Sequence, residues 1–169
     1  DWMRRELPAM AGKPRRQVRI PWNKIQPYSP AQQGFDEYYW GAMTNYRTNF
    51  DLASGDLLPQ MKQIRDKRFR IDIQTNAAVN FIQRNHDQPF YLQLNYYGPH
   101  TPLEATQKYL DRFPGPMPER RRYALAMLSA IDDGVGQIVD QLKADGLLDN
   151  TLIVMTSDNG APLKMTKPD

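Results

Sequence analysis

The residues best suited to chemistry lie at two places in the chain: His100, and the pair Asp158-Asn159 followed by Gly160. A carboxylate beside a carboxamide presents hard oxygen donors, the kind a hard divalent cation prefers. The same Asp-Asn-Gly run also reads as a plain turn, with Asn at a position that tolerates left-handed backbone. His100 belongs to Tyr97-Gly-Pro-His-Thr-Pro102. Pro99 and Pro102 stiffen that loop and lower the entropic cost of holding one imidazole orientation. An imidazole held there could exchange a proton near neutral pH, or it could be an ordinary exposed loop residue. The other histidine, His86, falls in the polar turn Asn85-His-Asp-Gln-Pro89. It reads as a helix-end residue on the surface, where a cation is favoured.

Both candidate positions need elements to carry them. Thr151 to Thr156 is a short apolar run rich in β-branched residues, which predicts a strand buried on both faces inside a parallel sheet. Asp158 and Asn159 then follow its carboxyl end, where open α/β sheets bind ligands. Phe90 to Tyr96 predicts a second strand, with His100 just beyond it. Between them, Ala105, Tyr109 and Phe113 predict a short helix within 103–113, ended by Pro114-Gly115-Pro116. Tyr123, Met127, Ile131, Val135, Ile138 and Leu142 form the apolar stripe of a long helix over 119–145. Gly134 and Gly136 inside it predict close approach of a neighbouring backbone, and Gly146 ends it. Upstream, Ile71, Ala77, Ala78, Phe81 and Ile82 predict a helix over 72–85 with Asp72 as its N-cap. Strand, helices and strand form a right-handed crossover that brings His100 and Asp158 to one rim. The predicted fold class is α/β: part of a mostly parallel sheet flanked by helices.

The first third differs. Prolines at 8, 14, 21, 27 and 30 predict an irregular segment over 1–33, with at most a short edge strand at Gln17 to Ile20. Residues 34–169 then form the core portion of a single domain. Phe35 to Trp40, an aromatic cluster, is either a loop pinned to a core or a wall that touches substrate. Residues 42–68 read as loop and short helix. With no cysteine, the chain has neither a disulfide framework nor a thiolate metal site. Net charge is +3, and the basic runs at 4–5, 15–16, 65–70 and 120–122 are scattered, so they read as solvated surface and not as a nucleic-acid stripe. No apolar stretch is long enough for a membrane span. Asp1 in place of an initiator Met predicts a processed or excised product. No feature sets an oligomeric state.

Three ordered stretches resemble the sulfatases of the alkaline phosphatase superfamily. Gln88-Pro-Phe-Tyr-Leu-Gln-Leu-Asn-Tyr-Tyr-Gly-Pro-His-Thr-Pro102 is similar to their "KPFFLYLSYxAPHxP" stretch. Ser129 to Leu142 resembles the helix before their last active-site strand, and Leu148 to Gly160 resembles "LxDNTLVIFTSDNG". Gly34-Phe-Asp36 fits an upstream "GFD" element. The likeness runs from about residue 27 to 161.

This resemblance implies a sulfuric ester hydrolase that uses calcium and a formylglycine nucleophile made from Cys or Ser. It implies that Asp158 and Asn159 ligate calcium, and that His100 binds the sulfate or transfers a proton. It also implies a small sulfate ester or sulfated glycan as substrate, and a secreted or periplasmic setting. The departures matter as much. The family's Cys or Ser before x-Pro-x-Arg is absent, and Met117-Pro-Glu-Arg120 keeps only the Pro and Arg spacing. The early Asp-Asp metal pair is missing, and Asp132-Asp133 cannot replace it, because helical neighbours point about 100° apart. Only Gly12-Lys13 remains of "GKWHLG", and Lys164 and Lys167 come too early for the lysine before "EGG". The expectation is an incomplete piece of a sulfatase-like enzyme, inactive alone. Two alternatives stand beside it: a phosphonate or phosphodiester hydrolase of the same superfamily, and a non-catalytic domain that keeps only the fold.

Overall fold

The computed structural model describes residues 21–160. The Gln17–Ile20 strand, Gly12-Lys13, Lys164 and Lys167 lie outside the described residues. The chain begins with a helical turn, Trp22–Ile25 (α1), and two 3-10 turns, Gln26–Tyr28 and Pro30–Gln32. Proline within the first two residues of each 3-10 turn supplies the fixed φ that such turns accept.

Residues 39–65 form an antiparallel three-stranded meander of Tyr39–Ala42 (β1), Asn45–Phe50 (β2) and Leu57–Arg65 (β3), in that order. Sequence reading predicts loop and short helix here, so the sheet is a correction. Its signal is the period-two burial of Tyr46, Thr48 and Phe50, with exposed or half-buried residues between them. Cross-strand pairs set the register: Tyr39 faces Thr48, Trp40 faces Arg47, and Tyr46 faces Ile64. The Tyr39 ring lies 5.0 Å from Tyr46 and 5.8 Å from Phe50, a small aromatic core for the meander. Half of the aromatic cluster is therefore sheet and not loop. Met43, at the β1–β2 turn, has φ of 59°, a left-handed conformation that costs a side-chain-bearing residue roughly 1–2 kcal/mol.

Arg70–Asn85 (α2) and Glu119–Ala144 (α4) pack together, with the single turn Gln107–Leu110 (α3) beside them. Helix α2 begins at Arg70 with Phe69 as its cap, so Asp72 is a first-turn acid and not the N-cap. Ile71, Tyr109, Ala126, Met127, Ala130 and Ile131 form the core between these helices. Each fully buried large side chain there contributes about 2 kcal/mol relative to exposure. Of the predicted stripe, Met127, Ile131 and Leu142 are buried, and Val135 packs against the core. Helix α4 closes in a Schellman arrangement: Gly146 has φ of 69°, its N–H donates to Lys143 O, and Leu147 N–H donates to Leu142 O. His86 is the C-cap of α2, and its Nδ1 lies 2.8 Å from Gln83 O.

Gly134 is needed for close approach, but to side chains and not backbone. A Cβ there would stand 2.4 Å from Thr75 Oγ1 and 2.5 Å from the Tyr96 hydroxyl. Gly136 faces open space.

The predicted strands at 90–96 and 151–156 carry no ladder hydrogen bonds among the described residues. A strand exists only with a neighbour, and the sheet present lies elsewhere in the chain. Residues 90–96 still alternate: Phe90, Leu92, Leu94 and Tyr96 are half-buried, whereas Tyr91, Gln93 and Asn95 are exposed. Their inner side meets the helices, with Phe90 edge-on to Phe81 and Tyr96 hydroxyl 2.8 Å from Thr75 Oγ1. Residues 152–155 are exposed throughout. A small sheet flanked by helices makes the chain α/β.

Candidate active site

The loop bearing His100 is clamped from α2. Gln74 Nε2 donates to Asn95 O at 2.7 Å, and its Oε1 accepts the Tyr97 N–H at 3.0 Å. One side chain thus pairs two backbone groups at the end of the 90–96 segment. Arg70, one turn earlier, does more. It is only 4% exposed, and a guanidinium so buried persists only with partners. Its Nε donates to Glu104, one terminal nitrogen donates to Pro102 O at 3.1 Å, and the other approaches Met43 S at 3.4 Å. The guanidinium plane lies 3.5 Å from the Tyr97 ring centroid. Arg70 therefore ties both ends of the 97–104 loop to the start of α2.

Within that loop, Gly98-Pro99 and Thr101-Pro102 are cis. His100 N–H donates to Tyr97 O at 3.1 Å, and the His100 ring meets the Tyr97 ring edge-on at 5.4 Å. The Tyr97 hydroxyl donates to Thr101 O, and His100 Nδ1 lies 2.5 Å from that same oxygen. A carbonyl only accepts, so Nδ1 carries the hydrogen and Nε2 keeps its lone pair in the neutral ring. His100 is exposed, which leaves Nε2 open to a ligand.

Sequence reading treats Arg65 to Arg70 as solvated surface and so misses Arg70. The available signal is its position between Phe69 and Ile71, both of which belong to the core packing.

Asp158 and Asn159 follow the 151–156 segment and are exposed. One terminal atom of the Asn159 carboxamide stands 2.9 and 3.3 Å from the Asp158 carboxylate oxygens. Turned nitrogen-first, the amide donates to the carboxylate. The oxygens of these two residues fit calcium in kind, but two side chains supply only part of its six to eight ligands. Among the described residues no group of three or more His, Asp or Glu is gathered for a metal.

The two loops are not joined. Every hydrogen bond and ring contact of His100 stays within residues 97–101, and no hydrogen bond or ion pair links it to Asp158 or Asn159. Asp133 is engaged elsewhere: Arg112 grips both its oxygens at 2.8 Å, which holds its carboxyl below the usual range. Asp132 is exposed, so the Asp132-Asp133 pair is no metal site. A groove of about 460 Å³ between Gln107–Pro114 and Glu119–Tyr123 contains none of the candidate residues.

Comparison with known proteins bears directly on these loops. The family model described as Sulfatase matches residues 19–168, which includes both of them. Among curated relatives, the uncharacterized sulfatase YdeN of Escherichia coli (strain K12) is 33% identical over 138 residues, covering 79% of this chain and 24% of that protein. Mouse arylsulfatase J is 36% identical over 146 residues, covering 78% and 24%. Mouse N-acetylgalactosamine-6-sulfatase is 37% identical over 156 residues, covering 80% and 28%. The chain thus spans about a quarter of the length of these relatives. Among solved structures, Ps i-CgsB in complex with k-i-k-neocarrahexaose superposes with a TM-score of 0.59 at 28% identity, over 73% of this chain and 32% of that one. The family match spans both candidate loops and the α2–α4 pair, and the chain belongs to the sulfatase family.

Proposed function

We propose that this chain carries the His100 and Asp158-Asn159 portion of the active site of a calcium-dependent sulfuric ester hydrolase. The observation that supports it most is the sulfatase family match over 19–168, which contains both loops. The nucleophile, a formylglycine, would come from a part of the protein outside these 169 residues, since no Cys or Ser precedes x-Pro-x-Arg here. Asp158 and Asn159 would hold calcium through oxygen, together with ligands from elsewhere. Calcium bound there would draw negative charge from the sulfate oxygens.

The chain's own residues supply the rest. His100 presents a free Nε2 lone pair toward solvent, so in its neutral form it accepts a proton or a hydrogen bond at that atom. Once protonated, the same nitrogen donates to an ester or sulfate oxygen. Pro99 and Pro102 limit the loop's freedom, and Gln74 and Arg70 anchor it. The 34–169 region would then be the core portion of the catalytic domain. One relative is named for N-acetylgalactosamine, and one solved neighbour holds neocarrahexaose. Both support a sulfated glycan or another small sulfate ester as substrate class.

The test is hydrolysis of an aryl sulfate ester with added calcium. The 169-residue chain alone should give nothing above background, whereas a version extended to include a formylglycine-bearing segment should turn over. In the extended version His100→Ala should lower kcat about 10²- to 10⁴-fold, and Asp158→Ala should abolish the calcium requirement together with activity. Turnover by the short chain would refute the missing-nucleophile reading. An extended, aldehyde-bearing protein that cleaves no sulfate ester would refute the sulfatase reading itself.

A further inference from the structure

We propose that Arg70 is a positioning residue for His100, fixing which imidazole nitrogen is free to act. This inference rests on reading His100 as the proton-exchanging group. The chain of contacts is short. Arg70 grips Glu104 and Pro102 O on the far side of the loop and stacks on Tyr97 at its near side. Tyr97 and Pro102 flank the Gly-Pro-His-Thr segment, so one buried guanidinium sets the separation of its two ends.

That separation decides where Thr101 O points. The carbonyl accepts from the Tyr97 hydroxyl and from His100 Nδ1 together. A free histidine side chain prefers the opposite tautomer, with hydrogen on Nε2. Holding the hydrogen on Nδ1 therefore requires the loop to keep Thr101 O against the ring. Without Arg70, Tyr97 loses the cation on its face and Pro102 O loses its donor; Gln74 still holds the Tyr97 N–H, but the polar tie from α2 to the Pro102 end of the loop is lost. A lysine cannot replace Arg70, because it lacks both the planar stack and the divergent fork. The charged groups at this corner are Arg70 and Glu104, and Tyr97 is the other titratable neighbour of His100.

The experiment is nitrogen NMR of the 169-residue chain labelled at histidine, at a pH where both imidazoles are neutral. The chain has two histidines, and His86→Gln assigns the signals. In the unsubstituted chain His100 should show the Nδ1–H form in excess of the Nε2–H form. Arg70→Lys should invert that ratio at His100 and leave His86 unchanged, with far-ultraviolet circular dichroism as the check on folding. Glu104→Gln, which keeps the buried guanidinium, should shift the ratio the same way by less, and it decides the matter if Arg70→Lys does not fold. A dominant Nε2–H form in the unsubstituted chain overturns the proposal. So does an unaltered ratio in a folded Arg70→Lys chain, or in Glu104→Gln where that variant decides. The readout needs no turnover, so a failed hydrolysis assay and a failed positioning role are told apart.

Discussion

The Tyr39 hydroxyl is buried with no hydrogen-bond partner among the described residues. Burial is the largest cause that pushes its pKa above the ordinary tyrosine value, with the Asp66 carboxylate adding to it. A buried orphan hydroxyl forfeits its hydration, at about 1–3 kcal/mol. Tyr39→Phe keeps the ring packing on Tyr46 and Phe50 and removes that cost. The variant should therefore unfold in urea with a free energy about 1 kcal/mol higher at pH 7. The pH dependence has a definite sign. A tyrosine whose folded pKa lies above its unfolded value contributes full stability below the unfolded value of about 10 and loses it as pH rises through the folded value. The advantage of Tyr39→Phe should therefore widen above about pH 10, where the unfolded wild-type chain ionises first. Equal stability of the two chains at both pH values would show that the hydroxyl is solvated.

At the scale of elements, the contact between α2 and α4 turns on one missing methyl group. Gly134 lets α4 come down over the Thr75–Tyr96 hydrogen bond, which also ties the 90–96 segment to α2. An alanine Cβ would strike the end of a stiff tyrosine and a β-branched threonine at once, and neither retreats without breaking their bond. Overpacking of this kind costs about 1–3 kcal/mol. Gly136, two residues on, has open space beside it, and alanine there should gain about 1 kcal/mol of helix propensity. The pair makes a controlled test: Gly134→Ala should lower the denaturation midpoint, and Gly136→Ala should raise it. Two shifts of the same sign would remove the packing argument. Both glycines look alike in the sequence, because propensity depends on the helix and clash depends on what lies across from it. The stripe from Tyr123 to Leu142, the Gly146 terminus and the His86 cap were legible, since period and capping are local physics. The meander over 39–65 was not: Tyr46, Thr48 and Phe50 do alternate with polar residues, but the run is short, and Pro59 in the last strand argues against a strand there. Of the candidate site, the motif residues could be read directly, whereas Arg70 could not, because burial of a charge shows only in three dimensions.

For the whole molecule, the apolar run after α4 decides how the chain behaves alone. Leu152 is 88% exposed, and Val154 and Met155 are each 77% exposed. The composition that predicts a doubly buried strand has no ladder partner among the described residues, and the chain spans only about a quarter of its curated relatives. An uncharged, proline-free, β-branched run of this length with unpaired backbone is a template for pairing with another copy. No helix among the described residues is long and apolar enough to cross a membrane. The 169-residue chain should therefore self-associate with rising concentration, as sedimentation velocity would show. Leu152→Lys with Val154→Lys places two like charges on one side of any strand the segment forms, since strand side chains alternate with a period of two. That variant should stay monomeric at concentrations where the original chain associates. Because both residues are exposed, its unfolding free energy should change by less than about 0.5 kcal/mol. Undiminished association would move the sticky surface elsewhere, with the exposed β3 edge next to be tested. A large loss of stability would mean that the segment is packed in solution after all.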